Sequence, residues 1–438
     1  MTSPIIDDFV TRARDVTVSD AMDRLGIVEP KGRTEYQGPC PRCHDGTDRF
    51  SVNRTKNVFN CRTCGGGRDG IGLAAVWRDL DLRNRAEFLM ACGHALGETV
   101  PAEGEQETEE QRLAREQRAA DSRAKAYKKR AENDAKADQQ RQKAINLGRN
   151  LWLNALDCLA AGQREAEGYA LIRSYLRFRT GFWPHDGVFE HIRFLPRATY
   201  YGVDEWKRPM SIYVGPALSI PFVNLDFRIT GSQQLWINLA NKPKFRPVLL
   251  DAEGKPLSSK KMHGVKKGSI LPVFGNPEAK RWVVGEGIEN PAAWAGPEGW
   301  REDTFYLAAG DIGNLAGPRD PASDFKHPTL TTVDKIGRAR RVNVQGPKPK
   351  PDQAPDDAMQ VPAHVTELLV LADGDSEPVQ TAACLARMAA RLKRPGLDIQ
   401  IVYPPEGTDF SEAFADGVRH WAASGREFPA FLECDDNG

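Results

Sequence analysis

Cys40 and Cys43 form one Cys-x-x-Cys pair and Cys61 and Cys64 a second, with seventeen residues between Cys43 and Cys61. Each pair places two thiolates on one tight turn, and two such turns face to face complete a tetrahedral S4 cage, so the spacing predicts structural zinc. The segment between the pairs predicts a hairpin, because "RFSVN" and "VFN" alternate around the polar turn "RTKN" and return the second pair to the first. The expected fold is a zinc ribbon, a module with so little core that the metal contributes its folding energy. His44, directly after Cys43, is an alternative ligand. Disulfides are disfavoured: there is no secretory signal, and Cys92, Cys158, Cys384 and Cys434 are scattered without partners, as in reducing cytosol. A redox Cys-x-x-Cys occurs singly beside a βαβ pattern, not as a doublet.

Arg49, Arg54, Lys56, Arg62 and Arg68 lie on or beside the hairpin with Phe50 and Phe59 among them. That mixture suits phosphates and stacked single-stranded bases. The competing reading makes the two Phe the ribbon's core and the charges a solvated face.

A second constellation is acidic. Glu286 ends an apolar run and is followed by Gly287; Asp373 and Asp375 end another, in "LVLADGDSEP", with Gly374 between them. Turns at the ends of parallel strands converge on one sheet edge, so these carboxylates are expected to share a site, with Asp409 in "PPEGTDFSEAF" joining them. Carboxylates set this close repel unless a cation neutralises them, which suits Mg²⁺ or Mn²⁺ and phosphoryl chemistry. The alternative for an Asp-x-Asp turn is a helix cap, here Asp375 or Ser376 before Pro378. Upstream, "GKPLSSKKMHGVKKGSILPVFG" sets Lys255, Lys260, Lys261, Lys266 and Lys267 among glycines, which suits phosphate contacts or a plain solvated loop.

These groups need elements to hold them. At 438 residues, with 40% hydrophobic and 27% charged residues, the chain holds two or three ordinary domains, and no apolar run approaches membrane-spanning length. The expected location is cytoplasmic. The net charge of zero conceals an asymmetry: Lys and Arg against Asp and Glu number 14 and 14 in residues 1–98, 11 and 10 in 99–147, 19 and 11 in 148–280, and 16 and 25 in 281–438. A basic middle beside an acidic end fits a polyanion held against divalent-ion chemistry.

The predicted organisation is a multidomain α/β chain. Residues 1–98 form the zinc-ribbon DNA-binding domain, opened by a short helix over "VSDAMDRLGI" capped by Ser19 or Asp20 and closed by one or two amphipathic helices. Residues 99–147 form a charged linker, helical over as much as about 70 Å or disordered in part. Residues 148–280 form a basic α+β subdomain. Residues 281–438 alternate strands and helices as a parallel-sheet, Rossmann-like domain, with a proline-rich surface excursion at 317–362.

"VVGEGIEN" and "LVLADGDSEP" resemble the EGxxD and DxD signatures of the TOPRIM domain. With the Cys-x-x-Cys doublet, "KKMHGVKKG", and "GTDFSEAF" as a later acidic motif, the chain outside the linker resembles a DnaG-like primase of the phage and mobile-element type. The resemblance implies a DNA-templated RNA primer synthase. Asp373, Asp375 and Asp409 would hold Mg²⁺ or Mn²⁺, and Glu286 would coordinate a metal or take the proton from the attacking 3′-hydroxyl. Lys260, Lys261, Lys266 and Lys267 would bind nucleotide or template phosphates, and the ribbon, with Arg49, Arg54 and Lys56, would inspect the template. Single-stranded DNA, ribonucleoside triphosphates and a separately encoded replicative helicase are the implied partners, in a bacterial or phage-infected cell. Two departures stand out: Asn290 replaces the aspartate of EGxxD, and Pro378 follows the DxD where many members have glycine. No GxxxxGK[ST] helicase motif is present. The rival readings are a TOPRIM nuclease or topoisomerase-like enzyme and a non-catalytic single-strand-binding replication accessory protein.

Overall fold

A computed structural model describes residues 4–27, 34–44, 47–102, 107–334 and 337–424; Cys434 lies outside them. The chain divides into two compact units, Met1–Asn133 and Asp134–Gly438.

The first unit contains α1 (Pro4–Arg14), α2 (Val18–Arg24), β1 (Glu35–Gly38), β2 (Phe50–Asn53), β3 (Val58–Cys61), β4 (Gly65–Gly67), α3 (Gly70–Arg78), α4 (Arg85–Leu96) and the start of α5 (Glu109–Leu153). Its four strands pair antiparallel in chain order, with the expected hairpin at β2–β3. Phe50 and Phe59 are 4% and 3% exposed and pack with Phe9, Met22 and Leu73, so both are ribbon core. The cap of α2 is Thr17, not Ser19 or Asp20. Thr17 Oγ1 accepts the Asp20 N–H at 3.1 Å and the Asp20 side chain reaches back to the Thr17 N–H, a reciprocal box that needs this three-residue spacing.

Helix α5 is one continuous element of 45 residues that begins ten residues inside the expected linker and continues past its expected end at 147. Its buried residue is Gly148, at the start of the segment where apolar residues return. A Cβ there would stand 2.4 Å from the His263 carbonyl oxygen and 2.8 Å from Gly231 Cα.

The second unit continues with β5 (Leu156–Asp157), α6 (Gln163–Thr180), β6 (Arg193–Val203), β7 (Pro209–Val223), β8 (Ile229–Trp236), β9 (Leu249–Leu250), β10 (Pro256–Leu257) and β11 (Lys260–Gly264). Five of these strands form an antiparallel sheet in the order β11-β8-β7-β6-β5. The lysine-rich segment is therefore partly a strand: Lys260 and Lys261 lie on β11, paired with Leu235 and Gln234 of β8.

The remaining elements are β12 (Leu271–Gly275), β13 (Arg281–Gly285), α7 (Glu289–Ala295), β14 (Thr304–Ala308), α8 (Ile312–Ala316), β15 (Phe325–Val333), β16 (Ala339–Val344), β17 (Glu367–Leu371), α9 (Pro378–Leu392), β18 (Asp398–Val402) and α10 (Phe410–Ala423). They build a sheet in the order β12-β14-β13-β17-β18, parallel except for β12. Both faces are covered. Val283, Tyr306, Leu369 and Leu371 point into a core shared with α7, α10 and the antiparallel sheet, while Trp282, Val284, Phe305, Leu368 and Val370 point into a core with α8 and α9. Burial on both faces explains why these strands read as unbroken apolar runs.

The connections from β13 run outward to β14, and those from β17 run outward the other way to β18. A right-handed crossover then requires their helices on opposite faces, as α7 and α9 are. A crevice opens between the ends of β13 and β17, the switch point where α/β sheets bind ligands.

The 317–362 segment is an exposed β15–β16 hairpin, but not wholly a surface excursion. Met359 and Val361 return to the α9-side core, and Met359 N–H donates to the Asn314 carbonyl at 3.0 Å.

Gly148→Ala is expected to destabilise the second unit by about 1–3 kcal/mol, because the added methyl meets backbone and not a side chain that can rotate away. Urea unfolding followed by tryptophan fluorescence measures it.

Candidate active site

In the first unit, Cys40 Sγ lies 3.9 Å from Cys64 Sγ and Cys43 Sγ lies 3.9 Å from Cys61 Sγ, and all four ligand atoms fall within 4.8 Å of one another. A tetrahedral zinc with bonds of about 2.3 Å requires sulfur–sulfur edges of about 3.8 Å, so the tetrad fits the ion. His44 is exposed, adopts φ +54° and donates its backbone N–H to the Cys40 carbonyl, outside the tetrad. Burial opposes ionisation at Cys61, but the backbone N–H groups of Cys64 and Thr63 outweigh it and bring the thiol to about 7. Around the ribbon, Arg49 donates to Thr63 Oγ1 at 2.7 Å, Arg62 faces Asp48 at 3.5 Å, and Lys56 is exposed at the hairpin turn with Arg54 beside it.

In the second unit, the acidic residues collect at the switch point. Val284 of β13 pairs in register with Val370 of β17, so Glu286 and Asp373 emerge from adjacent strand ends. Burial, then Glu286, Asp375 and Asp409 in turn, lift the Asp373 carboxyl to about 7. Burial raises Glu286 too, against the pull of Lys260. Asp375 lies 3.9 Å from Lys244 Nζ. Neither Asp375 nor Ser376 caps α9. Glu377 does, accepting the N–H groups of Val379 and Gln380 at 3.1 and 2.7 Å ahead of Pro378.

Asp409 is occupied differently. It caps α10 through the Glu412 N–H at 2.7 Å, accepts the Ser411 hydroxyl at 2.6 Å and pairs with Arg179 Nη2 at 3.2 Å. Both of its oxygens therefore serve the fold. Asn290 spans the gap to the sheet: its Nδ2 donates to Asp373 Oδ1 at 2.8 Å and its Oδ1 accepts the Ser411 N–H at 3.1 Å.

The four lysines named from the sequence do not form one patch. Lys260 Nζ contacts Glu289 Oε2 at 3.0 Å, and its charge acts on Glu286 and Asp373. Lys261, one residue on, donates to the Tyr201 carbonyl and lies 4.6 Å from the Tyr200 ring centroid. Lys266 pairs with Asp311, the cap of α8, and its charge also acts on Glu286; Lys267 acts on Asp356.

Behind the carboxylates lies a buried ionic cluster that motif reading missed. Glu289 pairs with Arg246 and Lys260 and accepts the Tyr175 hydroxyl at 3.0 Å, while Arg246 Nε donates to the same hydroxyl at 2.8 Å. Burial would raise Glu289, but Arg246, Lys260 and Arg179 overcome it and hold the carboxyl well below its usual range. Gly287 lies under this pair: a Cβ there would stand 2.9 Å from Lys260 Nζ and 3.0 Å from Glu289 Oε2, so an added side chain would have to displace the end of Lys260. The available signal was Glu289 three residues after Glu286, on the same helical entry, in a strand-turn-helix where an interior charge needs a partner.

Fold and site together describe a chain with a four-cysteine ribbon in one unit and a carboxylate-lined switch point in the other. No protein-family model matches this chain, and no curated protein does. Solved structures to which it is similar are of DnaG-type primases, at low identity. The Aquifex aeolicus primase, zinc-binding and RNA polymerase domains, is 13% identical over 97% of this chain and 86% of that one, with a TM-score of 0.30. A DNA primase domain from Pseudomonas aeruginosa is 12% identical over 64% and 78%, TM-score 0.34. A DnaG primase catalytic domain bound to ssDNA is 14% identical over 65% and 82%, TM-score 0.35.

Two substitutions test this electrostatic arrangement. Glu289→Gln strands Arg246 and Lys260 without their anion and is expected to cost about 3–5 kcal/mol at neutral pH. Because the folded carboxyl is depressed, that difference is complete above about pH 4.5 and fades as the pH falls toward the lowered value. Asn290→Asp replaces the donor to Asp373 with an acceptor and is expected to cost about 1–3 kcal/mol at pH 8 without divalent ions. The cost shrinks at pH 5, below the value of about 7 at which Asp373 takes up a proton and can itself donate. Urea titrations without added divalent ions measure both, at pH 8 and pH 5 for Asn290→Asp and at neutral pH and below about pH 4 for Glu289→Gln.

Proposed function

We propose that this protein is a DnaG-like DNA primase of the phage or mobile-element type. It joins ribonucleotides into short RNA primers on single-stranded DNA, with the TOPRIM-like sheet of residues 281–438 as its catalytic domain and 148–280 as the basic part of its core. The observation that carries the reading is geometric: β13 and β17 lie side by side with Val284 in register with Val370, so Glu286 and Asp373 leave adjacent strand ends at a switch point. Acids so placed suit a divalent cation that would draw their oxygens together; among the described residues only the four cysteines already hold their ligand atoms within 4.8 Å of one another.

Glu286, Asp373 and Asp375 would hold Mg²⁺ or Mn²⁺, whose contribution is to offset charge on the entering and leaving oxygens of nucleotidyl transfer. Glu286, raised by burial, is suited to accept the proton of the attacking 3′-hydroxyl. Lys260 and Lys266 border the carboxylates and bind nucleotide phosphates. Lys261 and Lys267, turned to Tyr200 and Asp356, take the template backbone. Asp409 is a positioning residue that acts through Arg179 and the first turn of α10.

The ribbon, folded around zinc, offers Arg49, Arg54 and Lys56 to the single-stranded template in residues 1–98. Residues 99–147 tether it. Its surroundings would be the cytoplasm of a bacterial or phage-infected cell, with a separately encoded helicase opening the duplex. No helix among the described residues is long and apolar enough to cross a membrane.

The experiment combines single-stranded DNA, labelled ribonucleotides and Mg²⁺ or Mn²⁺. Short RNA is expected from the wild type, with yield reduced about 100-fold or more in Glu286→Gln and Asp373→Asn. Shortened DNA in place of RNA would identify a nuclease, and binding without either product an accessory protein.

A further inference from the structure

The β15–β16 ribbon is explained neither by the acid site nor by the core. Of its residues only His327 and Val344 are buried; Val333 is 68% exposed and Leu330 46%. Its charge runs against its surroundings. Residues 281–438 carry 25 Asp and Glu against 16 Lys and Arg, yet 325–334 and 337–344 carry four Lys and Arg, namely Lys326, Arg338, Arg340 and Arg341, against Asp334 alone. Arg340 pairs with Asp334 at 2.8 Å, whereas Lys326, Arg338 and Arg341 have no ion-pair partner among the described residues. Thr331 lies opposite Arg341 and Thr332 opposite Arg340, so strand alternation sends the two arginines to opposite faces. Each face therefore carries an arginine beside the exposed Leu330 and Val333, so neither face is purely apolar.

Its base, by contrast, is riveted to the helix that leaves the acidic turn. His327 Nδ1 accepts the Leu330 N–H at 2.8 Å, so Nε2 carries the proton and donates to Glu377 at 2.9 Å, two residues after Asp375. Arg387 of α9, 1% exposed, donates Nε to the Gly317 carbonyl at 2.9 Å and Nη1 to the Gly346 carbonyl at 2.5 Å, clamping the chain before β15 and after β16. Gln345 N–H donates to the Gln380 side chain at 3.2 Å.

We infer that this ribbon is a nucleic-acid-binding arm that grips the phosphate backbone of a duplex segment, the primer–template product, beside the carboxylate site. A two-stranded ribbon can lie across the wide, shallow minor groove of an A-like RNA–DNA duplex, and cations on both faces meet phosphates on both sides of it. The duplex identity rests on the proposed primase reading; the charge, exposure and anchoring do not.

Fluorescence anisotropy with the full zinc-loaded chain, without nucleotides or added Mg²⁺ or Mn²⁺, compares a labelled RNA–DNA primer–template with the single strand alone. Arg338→Ala/Arg341→Ala is expected to weaken duplex binding several-fold and to lower the slope of log K against log salt by about 2, one per lost phosphate contact. Arg338→Lys/Arg341→Lys should restore most of both. Unchanged duplex affinity and slope in the alanine variant, or a loss confined to the single strand, overturns the inference. Because no synthesis occurs in this assay, failure to make RNA and failure of the arm to bind are separate results.

Discussion

The constraint on which this molecule turns is the repulsion among carboxylates packed into a half-buried crevice. Strand handedness and strand order oblige β13 and β17 to end side by side, and each ends in an acid. Burial and like charge push Asp373 to about 7, so the crevice cannot stay fully ionised without compensation. Much of the surrounding structure supplies it. Lys260 and Lys266 border the acids, Asn290 donates to Asp373, and Arg179 neutralises Asp409 where that residue also starts α10.

The buried cluster behind the crevice follows from the same constraint. A lysine placed among carboxylates must be aimed, and Glu289 aims Lys260 while Arg246 and Tyr175 fix Glu289. An interior carboxylate with this many donors is better described as a positional lock than as a source of stability, since the desolvation of four polar groups offsets most of their attraction. Gly287 belongs to this lock. A Cβ at the glycine of the acidic motif would press on the ends of Lys260 and Glu289.

The two units use opposite strategies for crowded ligands. In the ribbon, two sulfur pairs stand at the edge length of a zinc tetrahedron and all four sulfurs lie within 4.8 Å of one another, held by short turns and a hairpin. In the crevice, the carboxylates hang from separate strand ends and answer to surrounding cations.

The sequence by itself determined whatever depends on neighbours along the chain. Cys-x-x-Cys geometry, the β2–β3 hairpin, the apolar strands and the acidic turns that follow them were all legible, because period and turn chemistry act over a few residues. Local reading placed the caps of α2 and α9 one to three residues away from Thr17 and Glu377, because which nearby oxygen meets the first N–H groups depends on how the chain enters the helix. It treated the lysines as one patch, because it could not see that β11 would send Lys260 to Glu289 and Lys261 to Tyr200. Only tertiary structure decided that Glu289 would be interior, that Asp409 would be consumed by Arg179 and its own helix, and that the 317–362 segment would lift a cationic ribbon beside the acids. Those outcomes join residues separated by tens to hundreds of positions, and their energies exist only once the sheets have excluded water between them.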